Sequence, residues 1–266
     1  MTRRFKLALL DLDGTLWRDG HVIEGAPEFV ERLRHDGVQP VFFTNNSSRT
    51  PSEVVGALLR CGIAAESNEV CTSAQAAAHA LTERIPAGST VTFVGKTGLE
   101  EALTDAGFAA KRARGSELTE AWVKEAKAAV VGMDPAVTYL DLAVVTRVAH
   151  RLGWFVLTNS DARYPTEDGF LPGNGSLGAL VETASGVKPL VTGKPDRRFV
   201  EFALERYGAT ASETVIVGDN PYTDVLAGAA AGVYTIHVRS GVSFPEDENA
   251  PVADETVESV EKIFRQ

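Results

Sequence analysis

Asp11-Leu12-Asp13-Gly14-Thr15 places two carboxyls two residues apart, directly behind a short apolar run that ends at Leu10. In an extended segment, residues i and i+2 project to the same side, so the two acids converge. Such a pair suits a divalent metal or acid–base work. A carboxylate attacking phosphorus meets a phosphate of like charge, which calls for a cation that neutralises both. Mg²⁺, a hard ion that prefers oxygen ligands, is the natural choice. The second carboxyl could then protonate the leaving oxygen and later deprotonate the water that cleaves the acyl phosphate. Three other stretches offer matching chemistry. Thr44-Asn45-Asn46-Ser47 supplies a hydroxyl, amides and backbone N–H groups where a phosphate oxygen could sit, although a simple Asn/Ser turn has the same composition. Thr192-Gly193-Lys194-Pro195 holds one cation between two residues that punctuate the backbone. Gly218-Asp219-Asn220-Pro221-Tyr222-Thr223-Asp224 closes a further apolar run with two acids five apart that could complete a Mg²⁺ site. As local structure alone, the same stretch is a helix start, with Thr223 as N-cap and Asp224 favoured by the dipole.

The elements that would carry these residues alternate between strand and helix. Phe5 to Leu10 and Gln39 to Phe43 have the apolar make-up of buried strands that end in polar loops. Between them, the stretch from Pro27 carries apolar residues at 29, 30 and 33 and closes at Gly37, the pattern of a helix with a C-terminal glycine. Pro51 to Arg60 is a second helix, begun by proline at its first position. The grammar returns after residue 190: helix Phe199 to Tyr207, strand Thr214 to Val217, helix Asp224 to Ala231 and strand Val233 to Val238. This is the arrangement of a parallel sheet. The middle has elements of its own: strands Thr90 to Val94, Ala128 to Val131 and Trp154 to Leu157, with helices Leu99 to Ala106 and Tyr139 to Leu152. The expected division is a core in two pieces, 1–84 and 180–266, with a separate α/β unit at 85–179. Val257, Val260 and Phe264 have helical spacing and predict a last helix docked by one face.

Composition narrows the partners. The chain has 26 Lys and Arg against 36 Asp and Glu, a net charge of −10, so it offers no general attraction to nucleic acid or an anionic membrane. Seven acids between Ser240 and Glu261, with no Lys or Arg among them, concentrate that charge near one end. Cys61 and Cys71 are too few for a disulfide framework or a Cys-rich zinc site and fit ordinary buried thiols in a reducing compartment. Asp11 interrupts the only N-terminal apolar run before it reaches the length of a signal peptide's core, and no run is long enough to span a membrane. A cytoplasmic location is therefore expected.

Taken in order, Asp-x-Asp-Gly-Thr, a strand ending in Thr-Asn, Gly-Lys-Pro, and a strand ending in Gly-Asp-x-x-x-x-Asp form a four-part pattern. It resembles that of the haloacid dehalogenase superfamily of phosphohydrolases. The long interval between Thr44 and Lys194 is similar to the subclass with a large α/β cap between its second and third motifs, which includes 4-nitrophenylphosphatase, phosphoglycolate phosphatase and pyridoxal phosphate phosphatase relatives. Thr72-Ser-Ala-Gln-Ala-Ala-Ala-His79 and Tyr164-Pro-Thr-Glu-Asp-Gly-Phe-Leu-Pro-Gly-Asn-Gly-Ser176 resemble that subclass as well. The resemblance implies a Rossmann-like, doubly wound parallel sheet with an inserted α/β cap. It implies Asp11 as nucleophile and Asp13 as general acid/base. Asp11, the backbone carbonyl of Asp13 and Asp219 would be Mg²⁺ ligands, with Asp224 a supporting acid. Thr44, Asn45 and Asn46 would bind phosphate, and Lys194 would steady nucleophile and phosphate. Asn159, Asp161 and Tyr164 fall in the cap stretch that reaches the substrate in relatives, which often dimerise through the cap.

The expected activity is hydrolysis of a small phosphorylated metabolite through an aspartyl-phosphate. The alternatives are another reaction on this fold, phosphomutase transfer or carbon–halogen cleavage, and a non-catalytic phosphometabolite-binding protein. Asp13 argues against dehalogenation, where no leaving oxygen needs a proton. Two other motifs lack their context. Gly173-Asn-Gly-Ser-Leu-Gly178 matches a dinucleotide fingerprint but follows Pro172 instead of an apolar strand, and Gly95-Lys96-Thr97 lacks the first glycine of a P-loop, residue 90 being Thr.

Overall fold

In the computed structural model, residues 5–18, 20–166, 169–241 and 250–263 are described. They form two compact units, one made of 1–44, 51–71 and 194–266 and the other of 45–50 and 72–193.

The first unit is built on a six-stranded sheet in the order Glu255–Val257, Tyr234–Val238, Thr214–Gly218, Leu7–Leu10, Gln39–Thr44, Val70–Thr72. Leu7–Leu10 lies inside it, parallel to both neighbours, with Leu10 opposite Val217 on one side and Phe42 on the other. All four of its residues are buried, which explains the unbroken apolar run. Helix Ala26–His35 covers the sheet with Phe29, Val30 and Leu33, and Pro51–Arg60 does so with Val54, Ala57 and Leu58. The chain leaves Leu7–Leu10 toward Gln39–Thr44 and later returns to Thr214–Gly218 on the opposite side. Strand order therefore reverses at the carboxyl end of Leu7–Leu10, the position at which open α/β sheets bind ligands.

The second unit holds a five-stranded parallel sheet ordered Leu190–Val191, Val156–Leu157, Ala128–Val131, Thr90–Val94, Ala109–Arg112. An antiparallel hairpin, Arg163–Thr166 with Gly169–Pro172, precedes helix Asn174–Ser185. Helix Tyr139–Leu152 starts with a capping box: Thr138 Oγ1 accepts from the Asp141 N–H while the Asp141 carboxylate accepts from the Thr138 N–H.

This unit is wider than 85–179. Helix Ser73–Thr82 contributes Ala74, Ala77, Ala78 and Leu81 to a cluster with Val91, Phe93 and Leu99, so it packs with the second sheet. At the other end, Leu190–Val191 adds a strand to that sheet. Segment 45–50 is held by polar bonds: Ser48 Oγ donates to Met133 O at 2.9 Å, Thr158 Oγ1 to Ser47 Oγ at 3.1 Å, and Asn159 Nδ2 to Asn45 O at 2.9 Å.

Two other local expectations change. The expected last helix is instead strand Glu255–Val257 followed by a 3₁₀ turn Val260–Lys262, because 255–257 pair with Tyr234–Val238; Phe264 lies outside the described residues. The helix after Gly218 starts earlier than Thr223: Asn220 is its cap, accepting from the Tyr222 N–H at 2.9 Å, and Pro221–Val225 forms a π-type turn before Leu226–Ala230.

The two cysteines differ in environment. Cys71 is 0% exposed and burial pushes its thiol up to about 12, whereas Cys61 is only partly buried. At pH 8 a water-soluble disulfide reagent should therefore label one thiol readily and the second only as the protein unfolds. Two thiols of equal reactivity in the native protein would contradict this packing.

Candidate active site

The site is assembled at the carboxyl ends of three adjacent strands. Asp11 follows Leu10, Thr44 ends Gln39–Thr44, and Asp219 follows Gly218. Lys194 joins them as one of the largest fully buried side chains, 2% exposed. Its ammonium donates to Asp11 Oδ1 at 2.6 Å, to Asp224 Oδ1 at 2.6 Å and to the Phe43 carbonyl at 3.3 Å. An ammonium has three N–H donors, so these acceptors can engage all of them. The aromatic ring of Phe43, stacked on Phe199 at 3.9 Å, lies 5.4 Å from the same ammonium.

Burial pushes the Asp11 carboxyl well above the usual carboxylate range, Lys194 pulls it back, and Asp224 and Asp219 push it up again. For Lys194, burial disfavours the ammonium, but Asp11 and Asp224 outweigh it and hold its pKa above the ordinary lysine value. Asp224 Oδ2 also accepts from the Asn220 N–H at 3.2 Å, which ties the acid to the loop after Gly218.

The donor set fits a divalent cation. One carboxylate oxygen each from Asp11, Asp219 and Asp224 lies within 4.8 Å of the others. Asp11 and Asp224 both bond the Lys194 ammonium at 2.6 Å, and a third acid clustered with them in this buried place favours a further cation. Small residues crowd this acid cluster. A Cβ on Gly14, whose φ is +86°, would fall 2.3 Å from Asp219 Oδ2, and one on Gly241 would fall 1.9 Å from the same atom. These acids, with oxygen ligands only, are the set that Mg²⁺ prefers. The Asp13 carboxylate stands apart from this trio. Its Oδ1 accepts from the Trp17 indole N–H at 2.7 Å, so any part it takes in metal binding falls to its backbone carbonyl.

The other expected residues are distributed differently. Thr44 is buried in the first unit, two positions beyond Phe42. Asn45, Asn159 and Asp161 come together in the second: Asn45 Nδ2 donates to Asp161 Oδ2 at 3.1 Å and the Asp161 N–H to Asn159 Oδ1 at 3.2 Å. Asn46 spends its side-chain oxygen on a local turn, accepting from the N–H groups of Ser48 at 2.9 Å and Arg49 at 3.1 Å. Tyr164 sits on the hairpin opposite Leu171 and is 40% exposed.

Sequence reasoning passed over Trp17, His237 and Ser240. His237 Nε2 lies 3.0 Å from the Asp219 carbonyl, and Ser240 Oγ donates to the Gly14 carbonyl at 2.8 Å. Trp17 had a signal in its spacing, four residues after Asp13. The other two are set by strand pairing between distant segments and leave no local pattern.

Comparison with known proteins finds relatives over most of the chain. A family model described as haloacid dehalogenase-like hydrolase matches residues 8–109, and one described as HAD-hydrolase-like matches 191–263. An acid sugar phosphatase of Staphylococcus aureus is 38% identical over 245 residues, 92% of this chain and 90% of its own. Among solved structures, a thermostable NPPase double mutant from Geobacillus stearothermophilus is 34% identical, with 98% of each chain covered and a TM-score of 0.86. A glycerol phosphate phosphatase from Mycobacterium tuberculosis, solved in complex with magnesium, is 30% identical. It covers 97% of this chain and 75% of its own, also with a TM-score of 0.86.

Lys194→Met should cost about 3–5 kcal/mol in urea unfolding without metal, the range for removing one partner of a buried ion pair. Saturating Mg²⁺ should restore part of that loss, because it offsets the same carboxylates. Identical unfolding midpoints for the variant with and without Mg²⁺ would contradict the shared-charge account.

Proposed function

Because this chain belongs to the haloacid dehalogenase-like hydrolases, we propose that it is a Mg²⁺-dependent phosphatase of small phosphomonoesters that works through an aspartyl-phosphate on Asp11. The observation that carries this reading is the buried Asp11 carboxylate, held by Lys194 at 2.6 Å and grouped with Asp219 and Asp224.

Asp11, Asp219 and Asp224 would hold the metal together with the Asp13 carbonyl. Bound there, Mg²⁺ supplies the positive charge that lets a carboxylate approach a phosphate dianion. The remaining work falls to the chain. Lys194 holds Asp11 Oδ1 in place at 2.6 Å, and its ammonium would add charge stabilisation where phosphoryl oxygens gather negative charge. Thr44, at the end of its strand next to Asp11's, would contribute to phosphate binding. Asp13 gives a proton to the leaving oxygen as the P–O bond breaks. It then takes one from the water that attacks the aspartyl-phosphate, restoring both acids. An acid at this position has no task in carbon–halogen cleavage, which separates the phosphatase from that alternative.

The relatives' names point to sugar phosphates and glycerol phosphate as the first substrates to test. Asn45, Asn159, Asp161 and Tyr164 are the side chains proposed to read the alcohol portion. The first three form one hydrogen-bonded group, and Tyr164 presents a ring and a hydroxyl on an exposed hairpin.

Hydrolysis of 4-nitrophenyl phosphate should require Mg²⁺, stop with EDTA, and vanish in Asp11→Asn. No turnover with any divalent metal, or full activity in that variant, would overturn the proposal. Tyr164→Ala should change kcat/KM among sugar, glycerol and 4-nitrophenyl phosphates by unequal factors while Mg²⁺ affinity in calorimetry stays within about twofold, since removing a uniform binding contact would shift all substrates alike. An equal loss for every substrate would remove Tyr164 from the specificity group.

A further inference from the structure

Asp13 differs from the other acids of the site. Asp11, Asp219 and Asp224 are buried, whereas Asp13 is exposed, where a carboxylate is ordinarily free to change rotamer. Its Oδ1 is nevertheless held at 2.7 Å by the indole N–H of Trp17, a residue only 6% exposed. The indole nitrogen is a donor only, and a bond from it to an ionised carboxylate is stronger than a neutral pair.

The donor is itself fixed. The Trp17 ring belongs to the core cluster of the first unit, with Leu12, Leu16 and Phe29 among its members. Its backbone closes the turn that carries Asp13: the Trp17 carbonyl accepts from the Gly14 N–H at 2.7 Å, and the Trp17 N–H donates to Leu12 O at 3.2 Å. The Gly14 carbonyl is in turn held by Ser240 Oγ at 2.8 Å. Trp122 provides the contrast, since its indole N–H goes to the buried hydroxyl of Thr92, an ordinary core bond. A bond to an exposed carboxylate is one that water could replace. What it does accomplish is the selection of one carboxylate orientation.

We propose that Trp17 is the positioning residue of the acid–base carboxyl: by holding Oδ1 of Asp13, its buried indole presents Oδ2 to the leaving-group oxygen. This rests on the phosphatase reading above and adds which atom carries the proton. As Asp11 bonds to phosphorus and the P–O bond to the alcohol breaks, the proton on Oδ2 passes to the leaving oxygen. When water then attacks the aspartyl-phosphate, its proton returns to Oδ2, phosphate departs and the Asp11 carboxylate is restored. Oδ1 remains the acceptor of the indole N–H throughout, because a carbonyl-like oxygen accepts better than a hydroxyl.

The test is the dependence of kcat/KM on the leaving group, measured from 4-nitrophenyl through phenyl to a primary alkyl phosphate. 4-Nitrophenolate leaves without a proton and alkoxide does not, so loss of the acid steepens the series; Asp13→Asn shows how steep it becomes without that acid. Trp17→Phe keeps the packing and removes the N–H. Its kcat/KM should fall about tenfold or more for the poorest leaving group, part of the 10²- to 10⁴-fold that general acid–base catalysis supplies, and much less for 4-nitrophenyl phosphate. An unchanged slope, or an equal loss across the series, overturns the proposal. A wild-type chain that turns over none of these esters would instead overturn the phosphatase reading.

A second measurement is independent of activity and of whether Trp17→Phe folds. In ¹H–¹⁵N spectra, Asp13→Ala should move one of the indole N–H signals toward the position of a free indole and leave those of Trp122 and Trp154 in place. If no indole signal moves, Trp17 does not hold Asp13 and the proposal fails.

Discussion

The buried ammonium of Lys194 is the constraint to which the site and much of the core sheet answer. Removing a lysine from water costs several kcal/mol unless acceptors stand ready at the right places. The three acceptors here come from far apart in the sequence, Asp11, Phe43 and Asp224. They meet only because Leu7–Leu10 lies between Gln39–Thr44 and Thr214–Gly218 in the register that sets Leu10 against both Phe42 and Val217. A slip of one residue in either pairing would turn the strand's side chains to the opposite face and leave the ammonium with a missing partner. Charge pairing and apolar burial thus specify the same register.

The same requirement accounts for the shape of the loops around the acids. Three carboxylates can be gathered next to one ammonium only if nothing bulky stands beside them. Gly14 turns back after Asp13 with a φ of +86°, a conformation that L side chains rarely adopt, and its Cα faces Asp219. Gly241 lies beside Gly14 and approaches the same Asp219 oxygen. The space a side chain would occupy is given to carboxylate oxygens. Clustered carboxylate oxygens of this kind are what a hard divalent ion selects.

Much of this was legible in the sequence because it depends on local pattern. Buried parallel strands are apolar throughout and stop at a polar residue, so Leu10-Asp11, Phe43-Thr44 and Gly218-Asp219 mark strand ends and site positions together. Helices Pro51–Arg60 and Tyr139–Leu152 follow from apolar spacing and from their first residues. What the sequence hid depends on partners far along the chain. Glu255–Val257 is a strand because Tyr234–Val238 offers it an edge, although its spacing with residue 260 also suits a helix. Segment 45–50 joins the second unit through Ser47 and Ser48, and such polar bonds leave no trace in hydrophobic periodicity. Resemblance to a known motif pattern supplied the roles of the acids; it did not supply the indole beside Asp13.

Asp11 and Asp13 show how one short motif obtains two chemistries. They are two residues apart, of the same type, and leave the same strand, so neither composition nor spacing distinguishes them. The environment does. Asp11 is buried against the Lys194 ammonium, whose bond at 2.6 Å opposes the desolvation that pushes its carboxyl upward and so favours the ionised state that can attack. Asp13 remains at the surface, in reach of solvent, and its Oδ1 is held by the Trp17 indole. Exposure gives it access to protons but removes the walls that would orient it, and orientation is what a proton transfer to one particular oxygen demands. A buried donor on the same turn reconciles the two needs, since it fixes one oxygen from the core side and leaves the other outside that bond. In this fold the division of labour between the two acids is a division of burial, and Trp17 is the residue that lets the exposed partner be both open and ordered.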